Sequence, residues 1–155
     1  MRAIERPNLM LRIQRELRAL DAGFDRLDAA AARALQISRS DLRAIELVSR
    51  QGRLRAGILG RRLALTSGAI TILLDRMGRR GFLRCAEDSD DRRRVIVHAT
   101  REGDRRLDAL LGGFRREWAR SLARRSRDEL DVIEEFLAGA RDLVDRAHDH
   151  IESGR

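Results

Sequence analysis

The sequence predicts a mostly α-helical protein with one small β-hairpin set between long terminal helices. Three observations predict it. Near both ends apolar residues recur at steps of three and four, the period of one helix face. The middle is cut into short segments by capping residues and glycines. After Gly81, two short runs rich in Phe, Leu, Val and Ile flank a charged loop, the pattern of a hairpin.

The elements follow in order. Met10, Ile13, Leu17, Leu20, Phe24, Leu27, Ala31 and Ala34 are spaced 3, 4, 3, 4, 3, 4, 3, a heptad seam that packs against another helix, either between subunits or within one chain. Ser38 with Asp41 makes a capping-box-like start, Leu42, Ile45 and Val48 line one face, and Gln51-Gly52 stops that helix. Leu54, Ile58, Leu59 and Leu63 suggest a short helix, weakened by Gly57 and Gly60 by about 1 kcal/mol each relative to Ala. Thr66 caps the next helix, with Leu65 and Ile70 at hydrophobic-staple positions. This helix buries Ile70, Leu73, Leu74 and Met77, contains Gly78, and ends near Gly81. Phe82 to Cys85 and Val95-Ile96-Val97 are the two strands. Thr100 caps a long helix whose face carries Leu107, Leu110, Leu111, Phe114, Trp118 and Leu122. Ser126 and Glu129 form a capping box for the last helix, with Val132, Ile133, Phe136, Leu137, Ala140, Leu143, Val144, Ala147 and Ile151 on its apolar face.

Composition narrows the function. The formal net charge is +8, and all the basic residues are Arg. Base composition of the gene accounts for the absence of Lys but not for the excess of positive charge, which favours an anionic partner such as nucleic acid or a membrane surface. One cysteine, Cys85, excludes an internal disulfide. No stretch reads as a transmembrane span or a signal peptide, so a cytoplasmic protein is expected. No Ser-His-Asp set, phosphate loop or paired-carboxylate site stands out, so no enzyme and no cofactor is expected. His148 and His150 are two apart on a helix and point in different directions, and His98 is isolated, so no metal site is expected.

Three short helices followed by a hairpin is the order of a winged helix-turn-helix, with a tight turn between Leu63 and Thr66. The run Leu65-Thr66-Ser67-Gly68-Ala69-Ile70-Thr71, through Asp75-Arg76-Met77 to Gly81-Phe82-Leu83, resembles the recognition helix and following strand of the MarR family of multiple-antibiotic-resistance regulators. Asp88 to Val97, then Thr100-Arg101-Glu102-Gly103, resembles that family's wing and the start of its next helix. Each motif is weak alone; in order and at this spacing they are specific over residues 37–103. The resemblance implies a homodimer with interlocked terminal helices, two winged lobes on a palindromic operator, and, in many members, release of DNA by a small-molecule effector or an oxidant. It divides the chain into an N-terminal dimerisation helix (1–37), a DNA-binding lobe (38–100) and C-terminal dimerisation helices (101–155).

Roles follow for particular residues. Thr66 caps its helix, and the Thr66 and Ser67 hydroxyls with the free amides beside them suit a phosphate oxygen; Gly68 lies on the same exposed turn. Thr71 is placed to read a base edge, and Ile72 either rests on a thymine methyl or is peripheral core. By resemblance, Asp75 pairs with an Arg of the wing base, Arg93 and then Arg92 enter a minor groove, and Asp91 braces the loop. The family's oxidant-sensing branches carry their cysteine in the first helix, where this chain has none, so Cys85 is read as structural or incidental. Phe24, Phe114 and Trp118 are candidate lining of an effector pocket, with ordinary core as the favoured alternative. The leading reading is a sequence-specific double-stranded-DNA regulator, taken as a repressor; the alternatives are a nucleoid-type binder of low specificity and a helical adaptor.

Overall fold

A computed structural model describes residues 2–88 and 94–154, with the backbone alone for residues 2–6. The order is α1 (Arg2–Leu35), α2 (Arg39–Gln51), β1 (Arg53–Arg55), α3 (Ala56–Arg62), α4 (Ser67–Arg79), β2 (Leu83–Glu87), β3 (Val95–Ala99), α5 (Arg101–Ala123) and α6 (Arg127–Ser153). The chain divides into two compact units, Met1–Leu111 and Gly112–Arg155.

Capping chemistry places the helix starts. Ser38 accepts from the Asp41 amide while the Asp41 carboxylate accepts from the Ser38 amide, closing a full capping box on α2. Thr66 Oγ1 accepts from the Ala69 amide at 3.3 Å, and Ser126 with Glu129 repeats the box at α6. The Thr100 hydroxyl accepts from the Gly103 amide at 2.9 Å and donates to the Gly81 carbonyl, tying the start of α5 to the end of the α4 turn.

Helix ends share one device. After α1, α3 and α4 the chain turns through a left-handed residue, Gln36, Ala64 and Gly81. In each case the next amide (Ile37, Leu65, Phe82) reaches back to the carbonyl five residues earlier (Ala32, Gly60, Met77). This pairing satisfies carbonyls the helix leaves open and reverses the chain tightly. Only Gly81 has the residue type that makes such a turn legible in advance; an L side chain there costs about 1–2 kcal/mol, which packing offsets at Gln36 and Ala64.

The sheet has three antiparallel strands in the order β1-β3-β2. Two were expected. Leu54, expected on a helix face, lies in β1 opposite Val97. Three residues are too few to show an alternating pattern, and β1 exists because the free edge of β3 pairs with it. Leu83, Leu54 and Val97 face a core that gathers Leu42, Ile45 and Val48 of α2, Leu59 of α3, and Ile70, Leu73, Leu74 and Met77 of α4. Phe82 is fully buried among them. At α5, a Cβ on Gly103 would sit 2.6 Å from the Phe82 carbonyl oxygen, so only glycine lets this helix start so close to the strand.

The heptad seam of α1 needs one correction. Ala31 is buried as expected, but Ala34 is exposed, and Ala32 and Leu35 enter the core instead. A straight helix has 3.6 residues per turn and drifts off a 3.5-residue pattern, so the inward face has moved round by its last turn. In α5, Leu107 and Leu111 are buried, whereas Leu110 is exposed. In the second unit, described by itself, Phe114, Trp118 and Leu122 of α5 are exposed, and α6 buries no residue at all.

Candidate nucleic-acid interface

α4 is presented rather than enclosed. Its inward face holds Ile70, Leu73, Leu74 and Met77, and the opposite face leaves Ser67, Gly68, Thr71, Ile72 and Asp75 in solvent. Ile72 is 65% exposed, which removes the peripheral-core alternative. An apolar side chain held out on a helix that already has a full inward face is free to meet another apolar surface. Thr71 spends its proton on the Ser67 carbonyl at 2.9 Å, so its hydroxyl is left as an acceptor.

Three contacts that sequence reasoning missed fix the far half of α4. Arg76 grips the buried carboxylate of Asp41 through two nitrogens, Nε at 3.2 Å and Nη2 at 2.5 Å. Arg80 donates to the Leu35 carbonyl at the end of α1, at 3.1 Å. Arg106 of α5 donates to the Arg80 carbonyl at 3.3 Å and lies over the Phe82 ring, 4.0 Å from its centre. Burial raises the Asp41 pKa, but hydrogen bonds from Arg76 and Ser38 outweigh it, and the carboxyl sits below the usual carboxylate range. Asp41 therefore does two jobs: it closes the cap of α2 and anchors α4. No local pattern announces the second, because its partner is 35 residues away.

Asp75 has an ion pair with Arg79, one turn on in the same helix. Hydrogen bonding from Arg79 holds the Asp75 carboxyl below its usual range. Both side chains are exposed, so the pair has little effect on stability, but it neutralises a carboxylate on the presented face. Asp91, Arg92 and Arg93 lie outside the described residues. At the base of the wing, Asp88 is buried; its amide donates to the Arg94 carbonyl and its carboxylate pairs with Arg55 of β1 at 3.4 Å.

Cys85 lines a cavity of about 420 Å³ between α4 and the wing strands, with Ile70, Leu74 and Val95 as apolar wall and Thr71, Asp75 and Arg79 at its edge. Desolvation pushes its thiol above the ordinary range, away from the reactive thiolate. Phe24 belongs to the first unit and is 38% exposed. Phe114 and Trp118 belong to the second, with ring centres 5.7 Å apart. Contrary to the favoured core alternative, none of the three aromatics is buried. Among the described residues no group of His, Cys, Asp and Glu is placed to hold a metal ion. No single described helix is long and apolar enough to cross a membrane.

A short helix, a tight turn, a second helix displayed to solvent and a hairpin behind it together define a winged helix-turn-helix protein. Comparison with known proteins narrows the class. Residues 37–95 match the model of the MarR family. The chain is 28% identical over 116 residues to the HTH-type transcriptional regulator YcgE of Bacillus subtilis (strain 168), spanning 75% of each chain. It is 28% identical over 116 residues to the HTH-type transcriptional repressor YetL of the same organism, spanning 75% of this chain and 68% of that one. Its fold is that of a MarR family protein from Bacillus stearothermophilus, with a TM-score of 0.63 and 21% identity over 88% of this chain and 96% of that one. Over residues 37–95 the chain matches the MarR family, a family of DNA-binding transcriptional regulators.

Proposed function

We propose that this regulator is a repressor that binds a palindromic operator as a homodimer. The observation that carries the reading is the presentation of α4. Its first two turns display Ser67, Gly68, Thr71 and Ile72, while Arg76 and Arg80 clamp its other end to α2 and α1. A helix held by its C-terminal half offers its N-terminal half to a major groove. Thr66 and Ser67 then meet phosphate, Thr71 accepts from a base edge, and Ile72 rests on a thymine methyl. Arg93, with Arg92, reaches a flanking minor groove, and Asp91 braces the loop that carries them. Asp75 helps to seat the wing base against α4 across the cavity that Cys85 and Val95 line.

Dimerisation is supported by the apolar side chains left exposed on the terminal helices: Ile13, Leu20 and Phe24 on α1, Phe114 and Trp118 on α5, and Phe136, Leu143 and Val144 on α6. Exposed apolar surface on this scale is the mark of an interface. Release by a small-molecule effector is part of the reading through the match to that family.

Selection of binding sites from a random duplex pool tests it. A single enriched site with dyad symmetry, protected as one footprint, is the expected result. Even coating without an enriched site supports the low-specificity nucleoid-type reading, and no duplex binding at physiological salt overturns DNA binding altogether. Reporter expression that rises when the gene is deleted checks the sign of regulation.

A further inference from the structure

Away from α4, the outward face of the small sheet carries an unusual row. Arg53 of β1 and Arg84 of β2 both stand directly opposite His98 of β3. Directly opposed residues in an antiparallel sheet share a face, with Cβ atoms about 4.5–5.5 Å apart. Three basic side chains thus lie side by side across all three strands. Arg53 and Arg84 are exposed, His98 is half-buried, and neither guanidinium has a carboxylate partner among the described residues. The recess that Arg53 and His98 line also holds Arg55, Glu87 and Asp88. Asp88 is taken up by Arg55.

Arg53 and Arg84 stand on the two outer strands, so their like charges share one face about 10 Å apart at the Cα atoms and repel one another. Desolvation, and then the charges of Arg84 and Arg53, hold the His98 imidazole below its ordinary pKa, so at neutral pH it is an uncharged hydrogen-bonding group between two guanidiniums. A fold that tolerates this local repulsion has a use for the charge. An extended, evenly spaced anion meets two guanidiniums set either side of an imidazole N–H donor better than a point anion does, and the DNA-binding reading supplies one.

We propose that Arg53, His98 and Arg84 form a second phosphate-binding strip for the backbone of duplex DNA, separate from the presented face of α4 and from the wing tip. The proposal rests on the DNA-binding reading. A strip of this kind grips backbone and carries no base information, so it adds affinity equally to every sequence.

The test is the double variant Arg53→Gln/Arg84→Gln of the full chain. Its affinity is measured by fluorescence anisotropy across a salt series on two duplexes of equal length, one with the selected operator and one of scrambled sequence. Both affinities are expected to fall by the same factor, about tenfold at fixed salt, and both salt slopes to become shallower by about two units. The ratio of operator to scrambled affinity stays that of the parent. Thermal melting at low salt is expected to rise, because the repulsion in the row is relieved. If the parent binds duplex and the double variant binds with the same slope, the strip is wrong while the DNA reading stands. A loss confined to the operator, or a lowered melting temperature, also overturns it, by making the residues base readers or fold contacts. A parent that binds no duplex removes both readings together.

Discussion

α4 and α6 carry the same kind of pattern and reach opposite states. Each sets apolar residues along one face. In α4 that face is closed by the chain itself, and Ile70, Leu73, Leu74 and Met77 are buried. In α6 the matching face, with Val132, Phe136, Leu143 and Val144, stays in solvent and no residue is buried. A helical period states that a face will be covered; it does not state by what. The winged lobe finds its cover within the chain, whereas α6 requires a surface from outside its own unit, and a second copy of the chain supplies one in the proposed dimer.

The largest break in this comparison comes from deleting residues 126–155. The remaining chain is expected to lose the dimer or to aggregate, as sedimentation and light scattering would show; a soluble monomer that keeps tight operator binding would contradict the dimer reading. Within the lobe, Phe82→Ala removes a fully buried ring that also carries the Arg106 contact. It is expected to cost about 3–5 kcal/mol in denaturant unfolding. Val144→Ser, on the exposed face of α6, is expected instead to weaken the dependence of melting temperature on protein concentration.

At the wing, Arg93→Ala is expected to lower operator affinity by about 1–3 kcal/mol with the circular dichroism unchanged. The loss is greatest where A·T pairs narrow the flanking minor groove. Ser89→Ala in the same loop is expected to do much less, and equal effects of the two would mean that the wing is not a groove reader.

The Asp41 clamp responds to acid. Its folded pKa lies below the unfolded value, so the folded state binds fewer protons, and the stabilisation is full above the unfolded value. It is lost as pH falls through the folded value. Asp41→Asn is expected to flatten the acid limb of the stability curve below the usual aspartate range, and an unchanged limb would show that Asp41 does not carry it. The smallest effect is expected from Asp75→Asn, which removes one exposed ion pair and leaves stability nearly unaltered by melting.

Much of the fold was written in local chemistry. Ser38, Thr66, Thr100 and Ser126 mark helix starts because a hydroxyl before a free amide acts within three residues. Gly52 and Gly81 mark ends because both hold positive φ. The inward residues of α2 and α4 follow from the helical period alone.

What only the tertiary structure decided has one physical cause: it depends on partners distant in sequence. β1 is a strand because β3 lies beside it, and Gln36 and Ala64 turn left-handed because packing outweighs their own preference. Leu35 rather than Ala34 meets the core because the helix drifts from its heptad. The hold of Arg76 on Asp41 and the row Arg53-His98-Arg84 arise when separate elements are brought together. Helix periods and caps act over a few residues, and such signals carry no record of which strand or helix will stand alongside.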